Sequence, residues 1–483
     1  MPLKILFISA EVAPFAKTGG LADVAGSLPK ALLELGVDAR VVMPAYRGIE
    51  AAYDAGKWGL KSMLGQLQVP IASGSIPAGV FQTTLPGSDV PVYFIAEKNL
   101  FDRPNIYGYN DDPYRFAFFS RAALELIPAF GWRPDLVHAH DWHAAPAVAW
   151  LSTTGQSFDT FRAMPTLFTI HNLAYQGRSP WNILNYLGIQ PSSLREEGYG
   201  EVNFMARAIH HATMINTVSP TYAKEILTPE GGANLFPLLQ FRHFDVHGIL
   251  NGLDTELWNP LTDINLAQNF DHKHLQQRIL NKRALQSRLH LPVNDQIPLL
   301  AMVSRLDHQK GIDIVGHALH LLLNNFAGPA QFVVLGSGSK NYEDMFTHLS
   351  GYHSHKMSAI FGQSPDLAPL IYGGSDIFLM PSRFEPCGLS QMIAMRYGSV
   401  PIVRATGGLS DTVHDSITGF TFYNFSADDL WNTITRALYL YHNDQDSWRV
   451  IQKEGMTTDF SWEHSAHGYL QLYEWAIARV RGW

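Results

Sequence analysis

"KILFISAEVAPFAKTGGLADVAGSLPKALLELGVDARVVMP", residues 4–44, reads as strand, helix, strand. Its opening KILFISAEV is apolar without alternation, the mark of a strand covered on both faces. Leu21, Val24, Ala25, Leu28, Leu32 and Leu35 then return at helical spacing, Gly36 stops the helix, and ARVVMP supplies a second strand. A βαβ unit of this kind belongs to a parallel sheet with helices on its faces. The succession of apolar strand and helix start recurs at DLVHAH (135–140), TLFTIH (166–171) and MINTVSP (214–220), where Ser219 and Pro220 suit an N-cap and a first helical residue. A second series runs through PLLAMVSRL (298–306), QFVVLGSG (331–338), DIFLMPS (376–382) and PIVRATGG (401–408). Two doubly wound sheets are therefore expected, joined near residues 250–297, where NPLTD and a polar stretch interrupt the pattern. The closing YLQLYEWAIARVRGW (469–483) reads as one more helix.

At 483 residues the chain exceeds one ordinary core, and 46% hydrophobic with 16% charged residues is the composition of a folded globular protein. No apolar run approaches the roughly 18 residues that span a bilayer, so no membrane partner is expected. The N-terminal run reads as a buried strand rather than a leader, because Glu11 follows it at once. One cysteine, Cys387, rules out an internal disulfide and fits a reducing cytoplasm. With 35 basic against 43 acidic residues, no general nucleic-acid surface is expected, and any phosphate must be held by a few local cations.

In open α/β sheets ligands bind outside the carboxyl ends of the strands, and the unusual residues collect there. After the first strand comes KTGGLADV (17–24), where Gly19 and Gly20 let backbone approach a ligand, or simply make a tight turn, and Lys17 adds a charge. After PLLAMV comes SRLDHQKG (304–311), a loop whose Arg305 and Lys310 would neutralise a leaving diphosphate or, more plainly, sit in solvent. LGSGS (335–339) is another close-approach turn. After SDIFLM comes PSRFEPCGLS (381–390), feeding a helix whose first turn carries Gly388, Leu389 and Ser390. A helix start attracts phosphate, so Glu385 beside it needs a hydroxyl-rich partner; phosphate and sugar together point to a sugar nucleotide. Cys387 reads as a small packed hydrophobe rather than a nucleophile. HAHDWH (138–143) gathers His138, His140, Asp141 and His143 in a run that resembles a binuclear metallohydrolase, although the acid does not directly precede the last histidine. The other reading has Asp141 and some of these histidines lining a polar cleft or capping a strand end. His171, at the end of another apolar strand, is either structural or a hydroxyl ligand.

Taken together, SAEVAPFAKTGGLADVAGSLPKAL, VHAHDWH, FTIHNLAYQG, INTVSPTYAKEI, GILNGLDTELWNP, SRLDHQKG and PSRFEPCGLSQM resemble the bacterial glycogen synthases and related starch synthases, in the same order from about residue 3 to beyond 460. The resemblance implies an α/β GT-B fold, two Rossmann-like doubly wound parallel-sheet domains facing a central cleft. It implies an acceptor-side domain over residues 1–250, a nucleotide-sugar domain over 251–460, and a C-terminal helix over 461–483 packing back on the first domain. The implied activity is transfer of glucose from ADP-glucose to the non-reducing end of an α-1,4-glucan, with retention, without metal or cofactor, in the cytoplasm. ADP-glucose is then a substrate and glycogen the partner.

Carried over by position, the resemblance makes Glu385, His171, Lys310, Arg305 and Asp141 catalytic. It assigns Lys17, Gly19, Gly20, Asn251, Gly388, Leu389 and Ser390 to donor and phosphate binding. Retention allows double displacement or attack from the leaving-group face; the second is favoured, since no isolated carboxylate pair stands out. One departure concerns the base. In IFGQSPDLAPLIYGGSD (360–376), Gln363 stands where the family carries an aromatic that stacks on adenine, leaving Phe361 or Tyr372 as replacements and UDP-glucose as an alternative donor. A non-catalytic glucan-binding protein and a metal-dependent hydrolase are the readings from other classes.

Overall fold

The structure, a computed structural model, describes residues 2–72, 74–189, 200–362 and 364–482. The chain forms two compact units: unit one is Met1–Gly252 with Trp462–Trp483, and unit two is Leu253–Ser461. Among the described residues no helix is long and apolar enough to cross a membrane.

Unit one is built on β1 (Lys4–Ile8), β2 (Asp38–Pro44), β3 (Lys61–Ile71), β4 (Gly74–Thr84), β5 (Pro91–Ala96), β6 (Leu136–His140), β7 (Thr166–Ile170), β8 (Arg178–Pro180), β9 (Glu201–Asn203), β10 (Met214–Thr217) and β11 (Val246–Gly248). All but the small β8–β9 pair form one sheet in the order β11-β10-β7-β6-β1-β2-β5-β4-β3. From β11 to β5 it is parallel; β6 (LVHAH) and β7 (TLFTI) are buried at every residue, and their polar members pair with each other, His138 Nε2 lying 2.7 Å from Thr169 Oγ1. The far edge departs from the parallel reading: β3 and β4 form an antiparallel hairpin, and β4 pairs antiparallel with β5. Their residues are largely exposed or only partly buried, and strands covered on one face are stable when antiparallel. The helix Gly20–Glu34 packs against Trp462–Arg481, and Asp141–Ser152 packs against Asp112–Phe130 and Phe204–His211.

The helix Trp462–Arg481 belongs to unit one because its Trp462, Tyr469, Leu472, Tyr473 and Ala476 enter that unit's core. Two polar contacts fix it further. Tyr473 Oη lies 2.8 Å from His138 Nδ1, and Ser465 Oγ donates to Leu250 O at 2.6 Å.

Unit two carries β12 (Leu299–Val303), β13 (Gln331–Gly336), β14 (Met357–Phe361), β15 (Ile377–Met380), β16 (Val400–Arg404) and β17 (Phe420–Phe422), all parallel, in the order β14-β13-β12-β15-β16-β17. Its own core joins Leu300, Phe332, Ile377 and Ile402 to helices that include Ile312–Leu323 and Ala427–Asn443. The strand order reverses between β12 and β15 here, and between β1 and β6 in unit one. Such a reversal opens a crevice at the carboxyl ends, and the loops bearing the candidate residues leave from there.

Candidate active site

In unit two the loops after β12 and β15 meet. Lys310 Nζ lies 2.5 Å from Glu385 Oε2, and Ser382 Oγ donates to the same oxygen at 2.9 Å. Glu385 is buried and the Lys310 side chain is 16% exposed, so this cation is not a solvated surface group. Asp307 caps the turn His308–Lys310 and also pairs with Arg305 at 2.7 Å; Arg305 reaches Gln309 at 3.2 Å and keeps 51% of its side chain exposed. Gln309 ties the two loops together, accepting from Arg383 N at 2.8 Å and donating to Phe384 O at 3.3 Å. Gly311 permits the approach: at φ +71° its absent Cβ would stand 2.0 Å from Pro381 O. The TGG turn after β16 closes the other side, with Gly408 N donating to Glu385 O at 3.1 Å.

Two expectations for this unit change. Gly388 is not in the first helical turn: its φ of +76° lies outside helical space, Leu389 is the N-cap, and the helix is the short Ser390–Arg396. The glycines of LGSGS serve protein backbone rather than a ligand, since a Cβ on Gly336 or Gly338 would lie 1.8 Å from Ser304 O or 2.2 Å from Leu306 O. Gln363 lies outside the described residues. Of its proposed replacements, Tyr372 is buried against Phe378 and Trp258, hydrogen-bonds Ser390, and has its phenol pushed up to about 12 by burial, so it has no open face for a base. Phe361, at the end of β14, is exposed.

In unit one the loop after β1 is organised by a residue given no site role from the sequence. Buried Glu11 accepts from Thr18 N, from Thr18 Oγ1 at 2.6 Å, from Gly19 N at 3.2 Å and from Tyr107 Oη at 2.7 Å. Its only sequence signal is an acid closing an otherwise apolar strand. Gly19 is the N-cap of the helix that Gly20 opens, and an added Cβ there would meet nothing within 4 Å, so the loop leaves open space at that point. Lys17 is half-exposed and paired with Asp23 at 2.5 Å.

After β6, Asp141 opens the helix Asp141–Ser152 directly from the strand at φ +55°, a strained conformation for a residue with a side chain. Its Oδ1 accepts from His171 N at 2.7 Å and Asn172 N at 3.4 Å, which brings the ends of β6 and β7 together. Burial raises the Asp141 carboxyl to about 7 against the pull of those two N–H groups, and burial lowers His171 to about 3. Of the other histidines of the run, His143 is buried with its Nδ1 unpartnered, and the remaining two bond within the protein. His138 lies between Tyr473 Oη and Thr169 Oγ1 at 2.8 and 2.7 Å, and His140 Nδ1 is 3.0 Å from His171 Nε2. Among the described residues no three His, Cys, Asp or Glu side chains are gathered to hold a metal ion. Asn251 belongs to unit one and is buried, its Oδ1 unpartnered.

The model of the starch synthase catalytic domain matches residues 4–241, and that of glycosyl transferases group 1 matches residues 286–452. Glycogen synthase of Moorella thermoacetica is 44% identical over 99% of this chain and 98% of its own. Glycogen synthase of Thermotoga maritima is 40% identical over 99% and 100%. The solved catalytic domain of Starch Synthase IV from Arabidopsis thaliana, bound to ADP and acarbose, superposes with a TM-score of 0.91 at 34% identity, covering 99% of this chain and 100% of that one. Sucrose-phosphate synthase from Thermosynechococcus elongatus shares the fold, with a TM-score of 0.60 at 18% identity over 99% of each chain.

Proposed function

The chain belongs to the glycogen synthase and starch synthase family of GT-B glycosyltransferases, and from that premise we propose that it moves glucose from ADP-glucose to the non-reducing end of an α-1,4-glucan, with retention. As a member it is a glucosyltransferase of glycogen synthesis acting on a nucleotide sugar and a glucan; the donor base, the residue roles and the course of transfer are what is proposed. Support for an adenine donor comes from the relative bound to ADP.

The observation that carries the residue assignment is the buried pairing of Lys310 with Glu385 beside the half-exposed Arg305. As the bond from the anomeric carbon to the diphosphate breaks, its electron pair goes to the departing oxygen, and Lys310 and Arg305 neutralise the charge that grows there. Glu385 faces the developing positive charge on the ring. The acceptor hydroxyl attacks from the face the diphosphate leaves and passes its proton to the diphosphate. A mobile carboxylate nucleophile finds less support, because Glu385 is held by Lys310 and Ser382 and Asp141 by two backbone N–H groups. Gly388, Leu389 and Ser390 add backbone contacts to phosphate, but a helix of seven residues has a weak dipole, so neutralisation rests on the two cations. In unit one, Asp141, His171 and Asn251 offer hydroxyl ligands, and Lys17, Gly19 and Gly20 take the donor phosphates or the acceptor. We also propose that no metal or cofactor takes part, and that the enzyme works in the cytoplasm, where buried Cys387 stays reduced.

Incorporation of labelled glucose into glycogen, measured from ADP-glucose and UDP-glucose in parallel with and without chelator, tests these points. Chelator-insensitive transfer that prefers ADP-glucose is expected. Preference for UDP-glucose overturns the donor, and loss of activity with chelator overturns the metal-free reaction.

A further inference from the structure

Beneath His171 lies a layer of imidazoles that the transfer reaction does not use directly. His140 is fully buried at the end of β6, stacked on Phe7 with ring centroids 5.6 Å apart and tilted against His138 at 4.0 Å. Its Nδ1 is 3.0 Å from His171 Nε2, and its Nε2 is sealed from solvent without any partner. Burial holds both rings neutral: the His140 ring lies well below its ordinary range and His171 near 3. Each ring therefore carries a single proton, and one of the two nitrogens that face each other must carry one while the other does not.

The unpartnered nitrogen decides which. If His171 donated to His140, the proton of His140 would sit on Nε2, a buried donor with no partner. Orphaned buried donors are rarer in proteins than under-used acceptors. If His140 donates from Nδ1, its Nε2 is left with only an unused lone pair. His171 then accepts at Nε2 and carries its own proton on Nδ1. That nitrogen has no hydrogen-bond partner among the described residues and, unlike His140 Nε2, is not sealed.

We propose that His140 is a positioning residue that holds His171 in the Nδ1–H tautomer, so that His171 presents a neutral hydrogen-bond donor to an oxygen of the donor sugar. The sugar contact rests on the function proposed above; the tautomer rests on the geometry of the two rings alone. A donor fixed before substrate arrives needs no proton rearrangement during transfer. The packing of His140 against Phe7 and against His138, itself held by Tyr473 and Thr169, keeps the arrangement rigid.

The test is the side-chain nitrogen spectrum of the full protein labelled at histidine, with the His171 signals identified by their loss in His171→Gln. A protonated Nδ1 and a bare Nε2 are expected. A proton on Nε2 overturns the proposal by itself, whatever the variants do. His140→Phe keeps the stacked ring and removes the donor; it is expected to mix the His171 tautomers. In that variant kcat/KM for the nucleotide sugar should fall on the order of 10- to 100-fold, as when other partners that set a histidine's tautomer are removed, while KM for glucan stays unchanged. His140→Asn, whose amide N–H takes the place of Nδ1–H, is expected to restore the tautomer and most of the turnover. Unchanged tautomer and turnover in a folded His140→Phe protein also overturns the proposal. If His171→Ala keeps full activity, the sugar contact fails while the tautomer result stands on its own.

Discussion

Glu11 shows how one side chain fixes the loop after β1. Its carboxylate accepts from two backbone N–H groups and two hydroxyls, so Glu11→Ala leaves several donors with no partner. A loss of about 1–3 kcal/mol in urea unfolding is expected, together with faster tryptic cleavage after Lys17 as the loop loosens. Asp141 makes a prediction about pH. Its folded value near 7 is above the unfolded value near 4, so its contribution to stability is fully present below pH 4 and is lost as pH rises to 7. His143 and His171 run the other way: folded values near 3 lie below the unfolded 6.5, so their contribution is present above pH 6.5 and is lost as pH falls toward 3. His138 and His140 are lowered in the same direction. Four histidines outweigh one carboxyl, so stability should rise from pH 4 to 6.5. In Asp141→Asn, the free energy of unfolding measured across that range should rise more steeply, because the opposing group is gone.

Among elements, the decisive contact is between the two loops at the switch point of unit two. In Gly311→Ala the methyl would press on Pro381 O at a positive φ that alone costs roughly 1–2 kcal/mol, parting Lys310 from Glu385. Turnover is expected to fall at least about 10-fold with the helical circular dichroism intact. Gly351→Ala, in the helix Lys340–Tyr352 where an added Cβ meets nothing within 4 Å, serves as the control and should stabilise by about 0.5–1 kcal/mol. The same elements show what the sequence made legible. Strands such as β12 and β15 stand out because burial on both faces makes them apolar throughout. The hairpin β3–β4 does not, because its one-sided cover mixes polar and apolar residues. SRLDHQKG and EPCG are visible as strings, but the turn geometry that excludes Gly388 from the helix is a backbone angle no composition reports. Glu11 was unreadable as a site residue because its partner Tyr107 lies 96 positions away.

At the scale of the whole molecule, each unit has its own core, one around Phe7, Phe168 and Tyr473 and the other around Phe332, Ile377 and Trp448. Calorimetry is expected to resolve two unfolding components. Because Arg305 and Lys310, which we propose neutralise the phosphates, belong to unit two, ADP should raise that unit's component, by about 2.7 kcal/mol at 100 times its Kd. A shift confined to the other component would move the nucleotide to unit one. Unit one is also discontinuous: the chain leaves it at Gly252 and returns at Trp462. On a ribosome, the helix that brings Tyr469 and Tyr473 to the sheet therefore emerges after the whole of unit two. Residues 1–252 wait for the segment after Trp462 to complete their core, while unit two can close beforehand. Chains arrested once residue 461 has cleared the ribosome should carry a folded unit two and an unfinished unit one, its histidine layer still lacking the tyrosine that anchors it.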